Sequence, residues 1–322
     1  MAINIAPRTR PTVDNEVYPD GDSGTGVAAN RIVKRDRSAS STNGTKSTES
    51  VTPQSSADLM NDDLLREFIL LAGKDGVGKS CAVVSLAAYV ELINPDAQFF
   101  VLDTESKFRS AMKSFGDSAP TNIIYYKTDN MNQVTWAADQ VLGGHRPGDW
   151  LAVESMSRVW ERAQDLGYQA IAGMMKAEYM ERRADQVRRE GGKPAPVTPS
   201  PDQLWSIAKG AHDGAFLDRL TATPTLNVIL TTTMARPPKE GGFMKENVER
   251  KSLRMELGID SGLEGAPRLP YFPETLMVIE LKNGIFTCRV LRDNLSTSED
   301  SRGDFVIEGK RTFGQDFYAN CR

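Results

Sequence analysis

From Leu64 onward, short apolar runs alternate with longer stretches of helical periodicity. EFILLAG (67–73), QFFVLDTE (98–105), NIIYYKT (122–128), DWLAVES (149–155) and LNVILTTT (226–233) are apolar without a polar alternation, the pattern of strands covered on both faces. Between the first two, residues 79–93 are apolar around most of the helical circumference until Asn94 and Pro95 stop them, which predicts a buried helix. Strands separated by helices predict an α/β fold with a mostly parallel central sheet flanked by helices. In such sheets ligands sit outside the carboxyl ends of the strands, so Asp103, Glu105, Glu154, Ser155, Thr232 and Thr233 are expected on one rim.

A long helical stretch, roughly 157–190, ends in the charged run KAEYMERRADQVRRE and leaves through the linker GGKPAPVTPSP. Ser200, Pro201 and Gln203 then open a helix expected to reach about Leu220. Residues 1–58 hold no Phe, Trp or Leu and only one Tyr, too little apolar surface to offset chain entropy, so they are expected to form a disordered tail. Its basic cluster Arg31, Lys34, Arg35 and Arg37 reads as a solvated charge run, with a partner-docking arm as the alternative. The resulting division is a tail over 1–58, a core over 59–296 with a helical insertion and linker at 157–201 and a flexible loop at 234–273, and a C-terminal extension over 297–322.

Composition narrows the function classes. A formal net charge of -4 excludes an overall basic character, so any nucleic-acid contact would have to be local. Cys81, Cys288 and Cys321 are widely separated and form no CxxC pair, which fits a reducing, cytoplasmic compartment. No uncharged apolar stretch reaches the roughly 18 residues of a membrane span, and the start of the chain lacks an apolar leader, so no membrane partner is expected. Neither His145 nor His212 has a nearby ligand set, and both are expected at the surface or an interface. Trp136, Trp150, Trp160 and Trp205 are expected to pack in the core.

The chemistry concentrates in GKDGVGKS (73–80), which satisfies GxxxxGK[ST], follows a predicted strand and opens a predicted helix. Gly73, Gly76 and Gly78 let the backbone turn its amides toward phosphate oxygens, and the helix start adds its positive end. Nucleotide contacts are expected from Gly73, Lys74, Asp75, Gly76, Val77, Gly78, Lys79, Ser80 and Cys81, with Lys79 on the β and γ phosphates of ATP and Ser80 on Mg²⁺. Hydrolysis needs a second acid for the metal and a group to orient water. Glu154, ending WLAV, is expected as the second metal-side acid, and Glu105, ending LDTE, to orient the water in competition with Asp103.

The order GKDGVGKS, LDTE, LAVESMSR and VILTTT resembles the RecA-like ATPase core over about residues 64–294. PRLPYFPETLMVIEL followed by a hairpin ending in LRDN makes the chain most similar to phage-encoded RecA-like NTPases of single-strand DNA annealing and recombination. That resemblance implies a homo-oligomeric, Mg²⁺-dependent ATPase acting on single-stranded DNA. It puts Glu154 where the group usually has Asp and Thr233 where RecA has a glutamine. It also implies that Arg292 reaches the γ phosphate of a neighbouring subunit.

The loop of the same group that touches DNA matches residues 234–273, where Arg236, Lys239, Lys245, Arg250, Lys251, Arg254, Arg268 and Phe243 stand among nearly as many acids. A mobile lid or oligomer contact is the alternative reading of that loop. Lys74 fits the signature lysine of ParA and MinD-like dimeric ATPases, with Asp75 in place of a glycine, so a nucleotide switch is one alternative function. An assembly or packaging component with little hydrolysis is another.

Overall fold

Four of the apolar runs become strands whose residues alternate between two buried faces, and NIIYYKT becomes a half-buried one. The computed structural model describes residues 66–189, 201–234, 262–294, 304–307 and 312–321. Strands β1 (Phe68–Gly73), β2 (Phe99–Asp103), β3 (Ile123–Lys127), β4 (Trp150–Glu154), β5 (Asn227–Thr233), β6 (Thr275–Lys282), β7 (Ile285–Asp293) and β8 (Asp304–Ile307) form one sheet in the order β3-β2-β4-β5-β1-β6-β7-β8. The first six pair in parallel, and β7 and β8 add an antiparallel edge. The mostly parallel α/β sheet expected from the pattern is present.

On one face Leu70, Leu102, Val153 and Leu230 pack against α3 (Met131–Gly144), α4 (Met156–Ala172) and a π-helical segment (Gly210–Leu217). On the other, Leu71, Val101, Ala152 and Ile229 pack against α1 (Lys79–Ile93), α2 (Phe108–Phe115) and α8 (Phe313–Cys321). Every residue of β1 is buried. At about 2 kcal/mol for each large aliphatic side chain removed from water, this strand is a firm anchor for the turn that follows it.

Three features depart from the pattern. The stretch expected as one helix over 157–190 is α4 and α5 (Lys176–Arg189), broken at Gly173, whose φ of 67° ends α4 in the left-handed conformation that glycine accepts readily. The helix expected to run to Leu220 is α6 (Pro201–Lys209), the π-helical segment and the short α7 (Asp218–Thr221); its proposed Ser200 cap lies outside the described residues. Within the C-terminal extension, β8 pairs with β7 and α8 packs on α1, so this part of the chain completes the sheet and its cover.

Tertiary context also corrects several single-residue expectations. Trp136 is 48% exposed: it meets Tyr126 edge-on on β3, which is the edge of the sheet among the described residues. Trp205 is 41% exposed and stacks on the buried Trp160 at a centroid distance of 5.3 Å. His212, expected at a surface, is fully buried in the π-helical segment; its Nδ1 lies 2.7 Å from Asp213 Oδ1 and its ring meets Trp160 edge-on. Trp150 is buried as expected, and the half-buried His145 bonds to Thr225 Oγ1 and the Leu142 carbonyl.

The close approach of α8 to α1 gives a test of packing. The Gly314 amide donates to Ser85 Oγ at 3.0 Å, and a Cβ on Gly314 would lie 2.6 Å from the Ser85 carbonyl oxygen and 2.9 Å from Leu86 Cα. These are backbone atoms of a buried helix and cannot yield locally. Gly314→Ala is therefore expected to destabilise the fold by about 3 kcal/mol, read as a lowered urea midpoint. An unchanged midpoint would mean that α8 can lift off without cost.

Candidate functional site

β1 ends at Gly73 and α1 begins at Lys79, so the five residues 74–78 turn the chain from a buried strand into a buried helix. Gly73 lies so close to Val77 Cγ1 and the Ile279 carbonyl oxygen that a Cβ would stand 2.7 and 2.9 Å from them. Gly76 and Gly78 take φ of 75° and 103°, a region other residues enter only with strain. No side chain caps the start of α1. Its first amides and its dipole are therefore directed at a cavity of about 280 Å³ in front of the turn. Lys79 donates from Nζ to the carbonyl oxygens of Gly73 at 2.9 Å and Lys74 at 3.1 Å, and burial lowers its pKa against the opposing charges of Glu154, Asp75 and Glu105.

The sheet brings the acids to the same rim. β1 is flanked by β5, with Gly73 opposite Thr233, and β4 lies beyond β5, with Glu154 opposite Asp103 of β2. Ser80 Oγ donates to Glu154 Oε1 at 2.8 Å. Glu154 is 4% exposed, and its Oε2 finds no hydrogen-bond partner among the described residues. Burial pushes its pKa up to about 7; the Ser80 hydrogen bond and Lys79 oppose this, while Glu105 and Asp103 add to it.

Glu105 also lines the cavity. It accepts from Ser155 Oγ at 2.9 Å, pairs with Lys107 Nζ at 2.6 Å, and lies 3.9 Å from Arg158 Nε. Burial pushes its carboxyl up, but the hydrogen bonds from Lys107 and Ser155 and the charges of Lys107 and Arg158 outweigh that and hold it below the ordinary carboxylate value. Asp103 does different work. Its two oxygens accept from the amides of Glu105 and Phe108 and from the Tyr125 hydroxyl, closing the turn between β2 and α2.

The donor set fits a magnesium ion held with a polyphosphate. The Ser80 hydroxyl and the Glu154 carboxylate, with one oxygen unpartnered, are hard oxygen ligands side by side. Mg²⁺ characteristically takes one or two such protein ligands and completes its shell with phosphates and water. No group of three or more His, Cys, Asp or Glu suited to a metal occurs among the described residues. Bound there, the ion would neutralise charge on the phosphates.

Other expected site residues are placed as follows. Val77 is buried beneath the turn, while Lys74 and Asp75 are exposed at its rim. Cys81 in the first turn of α1 lines the cavity, its Sγ 3.9 Å from Ser114 Oγ. Thr233 is buried, its amide held by Ser157 Oγ and its hydroxyl 3.5 Å from Asp75 Oδ1. Arg292 does not join the group. It pairs across the hairpin with Leu276, near the start of β6 and hence at the opposite end of the sheet from Gly73, and donates to the carbonyls of Pro270 and Pro273 at 2.5 and 2.7 Å. Of the basic and aromatic residues named in the 234–273 loop, only Arg268 lies within the described residues, stacked over Phe272.

The pattern reading missed Lys107, Arg158 and Ser155 as partners of Glu105. Their signal was sequence proximity to two strand ends, Lys107 two residues past Glu105 and Ser155 next to Glu154. A second cavity of about 230 Å³ lies between α4, α5 and α6, walled by Tyr168, Tyr179 and Trp205. Its lining holds no carboxylate and no glycine turn. Among the described residues no helix is long and apolar enough to cross a membrane. No family model matches the chain, and no curated protein matches it, so the reading of this site rests on its own residues.

Proposed function

We propose that this chain is a Mg²⁺-dependent ATPase of RecA-like build that couples nucleotide turnover to handling of single-stranded DNA in phage recombination or replication. The observation that carries the nucleotide half is the contact of Ser80 Oγ with the buried Glu154 in front of a glycine turn that ends in Lys79. A hydroxyl and an acid joined in this way are the protein's half of a magnesium site, and the uncapped helix start and Lys79 are the phosphate side. The strand order β3-β2-β4-β5-β1 supports the RecA-like assignment by setting Glu105, two residues past the end of β2, beside the end of the strand that carries Glu154. Within this reading Glu105, oriented by Ser155, takes the proton of the attacking water, and the protein works as a homo-oligomer in the host cytoplasm.

The test is phosphate release by the full-length chain with Mg²⁺ and ATP, with and without single-stranded DNA, at two salt concentrations. Metal-dependent release stimulated by DNA and suppressed by salt is the expected result, because phosphate-backbone binding releases counterions. No release sinks the ATPase reading; release indifferent to DNA sinks only its coupling. A second reading is a ParA or MinD-like switch that dimerises on ATP, which needs Lys74 able to cross to a partner, and its exposure at the rim permits that as well as a merely solvated lysine. Nucleotide-dependent dimerisation that is lost in Lys74→Ala would carry it.

A further inference from the structure

We propose that Lys107 is a second phosphate-contacting cation of this site, which leaves Glu105 for the γ-phosphate when a nucleoside triphosphate binds and thereby frees Glu105 to accept the proton of the attacking water. The inference rests on the nucleotide reading above and concerns how that same site is switched on.

In the arrangement seen here Glu105 is not ready to act as a base. Its Oε2 is held by Lys107 Nζ at 2.6 Å and its Oε1 by Ser155 Oγ at 2.9 Å. A carboxylate in hydrogen-bond contact with an ammonium group has its proton affinity lowered by the pairing, which makes it a weaker base toward water. The two holders differ in kind. Ser155 is buried, and its amide is fixed by Thr104 Oγ1 at 3.0 Å, whereas the Lys107 side chain is 64% exposed on a flexible stem. Ser155 can therefore keep orienting the carboxyl while Lys107 departs.

Charge in the cavity says where Lys107 would go. The wall carries three carboxylates, Asp75, Glu105 and Glu154, and two ammonium groups, Lys79 and Lys107. Lys79 lies buried at the floor, so Lys107 is the cation free to answer charge arriving from solution. It lines the same cavity as the glycine turn, where Asp75 attracts its charge and Lys79 repels it. Ser106 between the two partners takes a left-handed φ of 59°, and this turn sets Glu105 and Lys107 side by side at the mouth. An ion pair with an exposed partner is weak. A contact between an ammonium and a multiply charged phosphate is charge-assisted and stronger, so a triphosphate can take Lys107 from Glu105.

The exchange reads the third phosphate, which a diphosphate lacks. In the step that follows, the water oxygen forms a bond to the γ phosphorus, the bond from that phosphorus to the β–γ bridging oxygen breaks, its electron pair leaves with the diphosphate, and the water proton passes to Glu105. Lys107 meanwhile offsets charge on the transferring group.

The experiment titrates the full-length wild type, Lys107→Ala and Lys107→Arg with fluorescent ATP and ADP analogues in Mg²⁺, and measures phosphate release on the same samples. Lys107→Ala is expected to leave ADP affinity within about twofold, weaken ATP about tenfold and lower kcat about tenfold or more, with Lys107→Arg restoring most of the preference for ATP. Unchanged ADP binding serves as the control that the site is still folded. An unmoved ratio of ATP to ADP affinity overturns the proposal, and so does a kcat that rises in Lys107→Ala, since Lys107 would then only restrain Glu105. A wild type that binds neither analogue sinks the nucleotide reading itself, a result distinct from a wild type that binds both while Lys107→Ala leaves their ratio unmoved.

Discussion

Replacing Lys79 with alanine is expected to lower Mg²⁺-dependent ATP hydrolysis about a thousandfold while leaving the protein folded. The magnitude follows from removing a preorganised charge aimed at the transferring phosphoryl group inside a partly desolvated cavity. Folding is expected to survive because the ammonium contributes two hydrogen bonds to the carbonyls of Gly73 and Lys74 but is itself costly to bury. Its loss also removes the charge that helps keep Glu154 ionised, so metal affinity near neutral pH should fall with it. Phosphate release and a urea titration on the same preparation separate the two effects. Equal release from Lys79→Ala and the wild type would remove the ATPase reading.

Glu154 is expected to make the metal site strongly pH-dependent. With its pKa near 7, the carboxyl is largely protonated at pH 6 and cannot ligate, so the affinity for Mg²⁺ with nucleotide should fall about tenfold per unit as pH drops below about 7. Stability of the metal-free protein should move in the opposite sense. The folded-state pKa lies above the ordinary 4.5, so between about 4.5 and 7 the folded chain holds a proton that the unfolded chain has lost. Stability from this group therefore declines as pH rises through that window, by about 3 kcal/mol in all. Glu154→Gln keeps an acceptor for Ser80 but removes the titration. It should flatten the stability difference between pH 5.5 and 8 and abolish the metal response. Parallel pH profiles for wild type and Glu154→Gln in urea unfolding would refute this account.

Legibility in the sequence followed the range of the interaction. The central strands were readable because they are buried on both faces, which leaves an uninterrupted apolar run such as FILLAG in β1 or WLAVE in β4. GKDGVGKS was readable because its glycines are demanded by local φ values and by the contact of Gly73 with the neighbouring strand. Asp103 and Glu105 looked equivalent as strand-end acids. They differ because Asp103 is consumed by two amides and Tyr125 while Glu105 reaches the cavity, a distinction made by α2 and β3 rather than by LDTE itself. Trp136, Trp205 and His212 were misread for a related reason. An aromatic or imidazole is buried or exposed according to whether another element covers it, and β3 is an edge while the π-helical segment faces inward.

By itself, then, the sequence determined the α/β alternation, the parallel strands and the glycine turn, since each depends on residues close in the chain and on backbone geometry that only certain side chains allow. The tertiary structure decided the rest. It joined Ser80 to Glu154 across 74 positions and Ser155 to Glu105 across 50, and it brought Lys107 to the wall of the same cavity. It also carried Arg292 to the far end of its strand, because β7 runs antiparallel to β1 and returns the chain away from the rim where β1 ends. Strand order and direction choose which distant residues meet, and those depend on how the whole sheet buries its two faces.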